Sequence, residues 1–157
     1  YQETPALWEE DFSWEGFQWI VPDDSSQNVV VFLRRDKKGG EVIAVCNFAP
    51  VLRPDYKFGV PRAGQYAELI NSDAEEFGGT GQHNAPVRAK KQPMHGFDYS
   101  ISLRVPPMSA VILRTPAAKP AKADGPAPKK AAARGARAKP ARKTAARKTT
   151  GKQAKDA

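Results

Sequence analysis

The residues able to do acid–base work come as three clusters of neighbouring carboxylates, Glu9-Glu10-Asp11, Asp23-Asp24 and Glu75-Glu76. General acid–base catalysis by carboxyls needs two of them converging on one reacting bond. Adjacent residues of an extended chain point to opposite faces, so none of these clusters is a convergent pair by itself. Their polar, turn-like settings predict solvated surface or turn chemistry instead. His83 and His95 are the only histidines, twelve positions apart. Metal sites take three or four ligands at supporting spacings, and Cys46, the one cysteine, is distant in an apolar, strand-like run. Cys46 there predicts a small buried hydrophobe, because a reactive thiol needs an electropositive, partly open setting. Asp73-Ala74-Glu75-Glu76 lacks a calcium-loop pattern. Gly78-Gly79-Thr80-Gly81 lacks the Gly-Lys-Ser/Thr ending of a phosphate loop and reads as a flexible loop. The expectation is no catalytic, cofactor-binding or metal-binding residue, and no cofactor.

Aromatic residues offer a different chemistry, since sugar rings stack on flat faces. Trp8, Trp14, Trp19, Tyr56, Tyr66 and Phe77 are the candidate platforms. Aromatic side chains more often fill cores and interfaces through their large buried area. Trp19, inside a strand pattern, is expected in the core. Trp8 and Trp14 precede the strands and are expected to pack against another domain, with a sugar contact as the alternative.

The elements that must position these residues are strands. Thr4-Pro5 followed by Ala6, Leu7, Trp8 and Glu9 suggests a short helix with Thr4 as cap and Pro5 first. Phe17–Val21 is apolar and stops at the turn formers Pro22-Asp23-Asp24-Ser25-Ser26. Asn28–Arg35 and Glu41–Phe48 flank Asp36-Lys37-Lys38-Gly39-Gly40, a hairpin with a glycine-containing loop. Both arms are apolar at successive positions, which predicts strands covered on both faces. Tyr56–Val60 and Gln65–Ile70 follow, then a long polar excursion from Ser72 to Gly96, of the kind that carries function or is locally disordered. Tyr99, Ile101, Leu103 and Val105 alternate with polar residues, the mark of a strand with one wet face. Pro106-Pro107 turns into a last strand, Ser109–Arg114. Seven short strands and almost no helix predict an antiparallel β-sandwich.

Charge divides the chain at Thr115. Residues 1–114 hold 12 Lys+Arg against 15 Asp+Glu, a net of −3, whereas residues 115–157 hold 13 against 2, a net of +11. The first part is long enough to bury a core. The second is low-complexity Ala, Lys, Arg and Pro, has no large apolar residue, and is expected to be disordered. No stretch approaches the roughly 18–20 apolar residues of a membrane span. A single cysteine fits a reducing compartment, and the cytoplasm is expected.

The ordered set Gly16-Phe17-Gln18-Trp19-Ile20, Asp23-Asp24, Val31-Phe32-Leu33-Arg34-Arg35-Asp36 and Asn47-Phe48-Ala49-Pro50 resembles the C-terminal domain of bacterial 1,4-α-glucan (glycogen) branching enzymes. So do Asp55-Tyr56-Lys57-Phe58-Gly59-Val60-Pro61, Gly64-Gln65-Tyr66, Glu68-Leu69-Ile70-Asn71-Ser72-Asp73, Gly78-Gly79, and the closing Ser102 to Ala110. The resemblance runs collinearly over about residues 5–114; the tail departs from it. It implies an amylase-type, Greek-key-like antiparallel β-sandwich in a retaining glycosyltransferase of the α-amylase superfamily, which moves a cut α-1,4-glucan chain to a 6-hydroxyl. The catalytic carboxylates of such an enzyme sit on a barrel upstream, so none is assigned to a residue here. The implied division is 1–15 as linker from that barrel, 16–114 as C-terminal β-sandwich and 115–157 as basic tail. A chain opening on Tyr1 rather than Met fits the non-catalytic end of a larger enzyme, inactive alone, whose partner is the barrel and whose parent substrate is α-glucan or glycogen. Two other classes stay open: a carbohydrate-binding module, and weak, non-specific polyanion or nucleic-acid binding by the tail, which lacks aromatic residues for base stacking. A solubilising extension with no dedicated partner is the plain alternative for the tail.

Overall fold

The computed structural model describes residues 1–117; the expectation of a disordered tail therefore falls almost wholly outside the described residues. The strands are β1 (Phe17–Asp24), β2 (Val29–Arg35), β3 (Glu41–Asn47), β4 (Arg53–Val60), β5 (Gln65–Asn71), β6 (Val87–Arg88), β7 (Tyr99–Val105) and β8 (Ser109–Arg114). All the expected strands are present. Strand β6, only two residues long, falls inside the excursion where the sequence carried no strand signal.

Six strands form one sheet in the order β1-β2-β3-β8-β5-β6, and β4 pairs with β7 in a second. Every strand pairing is antiparallel. The chain passes to the small sheet for β4 and again for β7, and β8 returns between β3 and β5, a Greek-key-like path. The hairpin is closed by Asp36, whose carboxylate accepts the Lys38 and Gly40 amides at 2.8 and 2.7 Å, with Gly39 at φ +80°.

The core lies between the sheets. Val29, Val31 and Leu33 from β2, Ile43 and Val45 from β3, and Val111 and Leu113 from β8 face Tyr56, Phe58 and Val60 of β4 and Ile101, Leu103 and Val105 of β7. Each such side chain, fully buried, contributes about 1.5–3 kcal/mol. At one end Glu41 is buried between two guanidinium groups. It accepts Arg35 Nε at 2.7 Å and forms an ion pair with Arg62 at 3.2 Å. Thr115 is tied to the same residue, its hydroxyl donating to the Glu41 carbonyl at 2.9 Å.

Three expectations are corrected. Strand β3 is covered on both faces, but β2 is not: Val29, Val31 and Leu33 are buried while Val30 and Phe32 are half-buried. The helix at Pro5 is a single 3-10 turn, Pro5–Leu7, and the Thr4 side chain makes no capping bond. Backbone bonds from Leu7 to Thr4 and Trp8 to Pro5 close the turn instead. The glycine run is not a slack loop. Gly78 and Gly81 adopt φ near +78° and +77° and wrap the chain around Asp73, whose carboxylate accepts the Thr80 amide (3.1 Å), the Thr80 hydroxyl (2.6 Å) and the Gln82 amide (3.1 Å). These bonds, the Thr80 hydroxyl first, outweigh the cost of burial and hold the Asp73 carboxyl below its ordinary value. Asn84 continues the fastening by bonding Glu68 and both backbone groups of Arg104.

Both edges of the large sheet are irregular or short. Strand β1 carries two register shifts against β2, between Trp19 and Val21 and between Val21 and Asp24, with Pro22 between them; β6 ends the opposite edge after two residues.

Candidate docking face

The outer face of the large sheet is apolar too. Partners across the ladders put Trp19 beside Phe32, Phe32 beside Ala44, Ala44 beside Ile112 and Ile112 beside Ile70. These five residues form one row spanning β1, β2, β3, β8 and β5, because paired residues share a face. Phe17, Trp19 and Phe32 make an aromatic cluster at its β1 end. Ring centroids are 4.9 Å apart for Phe17–Trp19, 5.4 Å for Phe17–Phe32 and 5.9 Å for Trp19–Phe32.

Residues 1–16 lie over one end of this face and bury Ala6 against it. The carboxylates singled out in the sequence fasten this segment. Asp11 pairs with Arg34. Glu10 accepts the Ser13 hydroxyl at 2.6 Å and lies 3.4 Å from Lys37 Nζ, and Glu9 accepts the Lys37 amide at 3.0 Å. The Ser13 bond chiefly, helped by Lys37 and opposed by burial, holds the Glu10 carboxyl below its ordinary value. The cluster is thus a clasp between the segment and the β2–β3 hairpin, a role that carboxylate spacing alone does not reveal.

The clasp presents aromatic side chains to solvent. Phe12 is fully exposed and Trp14 is 83% exposed; Trp8, whose indole donates to the Gln2 carbonyl at 3.3 Å, is partly open. Trp19, expected in the core, is 51% exposed. The correction has a geometric cause. Trp19 pairs with Phe32, which points away from the core because its neighbours Val31 and Leu33 point in, and the bulge after Trp19 then turns both Ile20 and Val21 inward. Apolar patches of this kind, left open on a folded domain, mark surfaces that take a partner.

The remaining candidates do not converge with this face or with one another. Tyr56 and Tyr66 are core residues and present no sugar platform. The Tyr56 hydroxyl donates to Asp24 at 2.9 Å, and burial, with that carboxylate, raises its pKa above the ordinary phenol value. Tyr66 donates to the Arg62 carbonyl at 2.9 Å, and burial pushes it up to about 12. Asp24 is opposed by burial, but bonds from Ser26, Tyr56 and Gln27 prevail and lower its pKa. It holds the β1–β2 turn, as turn chemistry predicted, while Glu75 and Glu76 are exposed at a 3-10 turn. Phe77 is exposed beside them. His95 accepts the Gly59 amide at 3.3 Å, whereas His83 is exposed. Cys46 is half-buried on the outer face beside Val30 and Ala110, and burial raises its thiol pKa. Among the described residues no group of three His, Cys, Asp or Glu side chains is placed to hold a metal ion.

Residues 19–116 match the family model described as the α-amylase C-terminal all-beta domain. The chain is 41% identical over 116 residues to the 1,4-alpha-glucan branching enzyme GlgB of Halothermothrix orenii. It is 47% identical over 116 residues to that of Aquifex aeolicus, and 46% over 114 residues to that of Aromatoleum aromaticum. The matches cover 73, 73 and 72% of this chain and 18% of each relative, so the chain spans about a fifth of their length.

Proposed function

The chain belongs to the family of α-amylase C-terminal all-beta domains, and from that premise we propose that it is the non-catalytic β-domain of a 1,4-α-glucan branching enzyme, seated against a catalytic barrel. The observation that carries this reading is the outer face. Phe12, Trp14, Trp19 and Ile70 are apolar and exposed, with Phe32 and Ile112 half-buried between the last two, on a domain whose relatives are about five times longer. A barrel docked there would remove that surface from water, which is the main source of interface stability. In a retaining transfer one carboxylate attacks the anomeric carbon and a second acts as acid, then base. A glucan 6-hydroxyl takes the place of water in the second step. The described residues form two sheets and no barrel; of their clustered carboxylates Glu9, Glu10, Asp11 and Asp24 are held as clasp and turn fasteners, and Glu75 and Glu76 are exposed. The division that follows is a linker over 1–15, a β-sandwich over 16–114 and an appended basic segment over 115–157.

The test is amylose incubated with this chain alone. Iodine staining unchanged and no new α-1,6 linkages are the expected results. Branch formation by the chain by itself would overturn the reading, because the chemistry would then lie within these residues.

Residues 115–157 carry a second reading, favoured by their net charge of +11: weak, salt-dependent binding of nucleic acid or another polyanion by counterion release. A gel-retardation comparison at low salt between the chain and a version stopped at Thr115 tests it, and equal mobility of the nucleic acid with both would refute it. No helix among the described residues is long and apolar enough to cross a membrane. The cytoplasm is the compartment we assign, on the strength of the single cysteine.

A further inference from the structure

The small sheet has a surface of the opposite character. Its core side carries Tyr56, Phe58, Ile101 and Leu103, so its outer side carries Lys57 and, paired with it, Ser102. A strip running from β6 to Gln92 lies alongside. The strip is held rigidly on both sides, by β6 pairing with β5 and by reciprocal backbone bonds between Lys90 and Ser100 at 2.9 and 3.0 Å. Between the strip and β4 lies a groove of about 260 Å³, with Ser100 and Ser102 in its floor and Lys57, Arg88 and Lys90 among its walls. Beside the groove, Gly59 lets the Met94 carbonyl pack directly on β4, because a Cβ there would meet that oxygen at 2.0 Å.

Charge is what distinguishes the groove. Residues 1–114 have a net charge of −3, and Arg34, Arg35, Lys37 and Arg62 are each matched to a carboxylate. Among the described residues none of Lys57, Arg88 and Lys90 is in an ion pair; Lys38, Arg53, Lys91, Arg104 and Arg114 have none either, but the groove is where three such cations gather. Lys57 stands between this groove and a neighbouring one that it lines with Asp24, Asp55 and Tyr56, so Arg88 and Lys90 are the cations that belong to this groove alone. The Ser102 hydroxyl oxygen is buried and has no hydrogen-bond partner among the described residues, which leaves it a partner to find in a water, an ion or a ligand.

We infer that this groove is a binding site for phosphate groups, free or carried on a sugar. Three cations around two hydroxyls suit a compact tetrahedral dianion, whose oxygens accept both charge-assisted and neutral hydrogen bonds. A neutral glucan could offer these cations hydroxyl oxygens as acceptors but no opposite charge, so it would gain only the weaker, uncharged-acceptor bonds. The inference stands on the groove alone and survives or fails independently of the branching-enzyme reading.

The experiment is a titration of the ¹⁵N-labelled chain followed by amide chemical shifts, with inorganic phosphate and with glucose 6-phosphate at constant ionic strength, and glucose as control. Saturable shifts centred on Lys90, Gln92, Ser100 and Ser102 are expected with both phosphates and none with glucose. The double variant Lys57→Ala with Arg88→Ala removes two exposed charges whose backbones keep their pairing. It is expected to weaken binding about tenfold, the scale of losing two exposed ionic contacts. Shifts confined to residues beyond 117, an unchanged affinity in the double variant, or equal shifts with glucose would each overturn the inference.

Discussion

The two faces of the six-stranded sheet are built from the same kinds of residue and meet opposite fates. Inward, Val31, Leu33, Ile43, Val45, Val111 and Leu113 are each at most 1% exposed beneath the β4–β7 pair. Outward, Trp19, Phe32, Ala44, Ile112 and Ile70 form a row of comparable apolarity, yet only Ala44 is fully buried. The difference teaches that apolarity at alternate positions assigns a residue to a face but does not say whether that face is core or interface. What separates them is cover supplied from elsewhere, by β4 and β7 on one side and by residues 1–16, over one end only, on the other.

The comparison breaks first at the inner face. Phe58→Ala, at a completely buried β4 position, is expected to cost about 3–5 kcal/mol in urea unfolding, the range for truncating a core aromatic. A cost below ~1 kcal/mol would mean the core does not lie where the two sheets meet. Next in size is the rim. Glu41→Ala leaves Arg35 and Arg62 without their shared carboxylate. Breaking a fully buried pair costs about 3–5 kcal/mol, but these guanidiniums are about a third exposed and regain water, so about 1–3 kcal/mol is expected.

A smaller effect follows from acid. Asp24 and Asp73 have folded-state pKa values below the ordinary 3.8, so each contributes stability that is present above the unfolded value and is lost as pH falls through the folded one. The urea midpoint should therefore be flat near neutrality and fall below about pH 4. In Asp73→Asn the fall should be shallower, and an unchanged slope would remove Asp73 from the account. The smallest effect belongs to the outer face. Phe12→Ser together with Trp14→Ser is expected to change stability by no more than about 0.5 kcal/mol, as surface substitutions do, while reducing any blue shift of tryptophan emission caused by a docked barrel to what Trp8 and Trp19 still report. A loss of several kcal/mol would make these residues core and erase the contrast.

Most strands were legible because apolar runs end in strong turn formers: Pro22-Asp23-Asp24, Asp36 to Gly40, and Pro106-Pro107. Strand β7 was the clearest, since its alternation puts Ile101, Leu103 and Val105 on the core side, although Ser100 on the other side is buried too, where it pairs with Lys90. Strand β2 misled because Val29 to Leu33 is apolar without a break, and such a run does not disclose which side will be covered. Trp19 misled for the same reason, compounded by a bulge that only the ladder with β2 defines. Strand β6 was invisible, since a two-residue strand has no period to read. The outer row was hardly legible: the sequence placed Trp8 and Trp14 outside the core, where Trp14 is exposed, but put Trp19 inside it. Joining Trp19 to Ile70 required the order β1-β2-β3-β8-β5, which long-range pairing decides. The clasp of Glu9, Glu10 and Asp11 gave no signal, because its partners Arg34 and Lys37 lie more than twenty residues away in the chain.

The irregular edges of the large sheet have a consequence for crowded solutions. A sheet with an open apolar face is prone to stack, and one with a free, regular edge strand is prone to add strands from other chains. Here β1 offers no regular ladder beyond Trp19, because Pro22 lacks an amide and two bulges twist the strand, and β6 is too short to template a neighbour. Growth through the edges is blocked at both ends. The aromatic face can then stay adhesive toward one well-shaped surface without seeding a fibre.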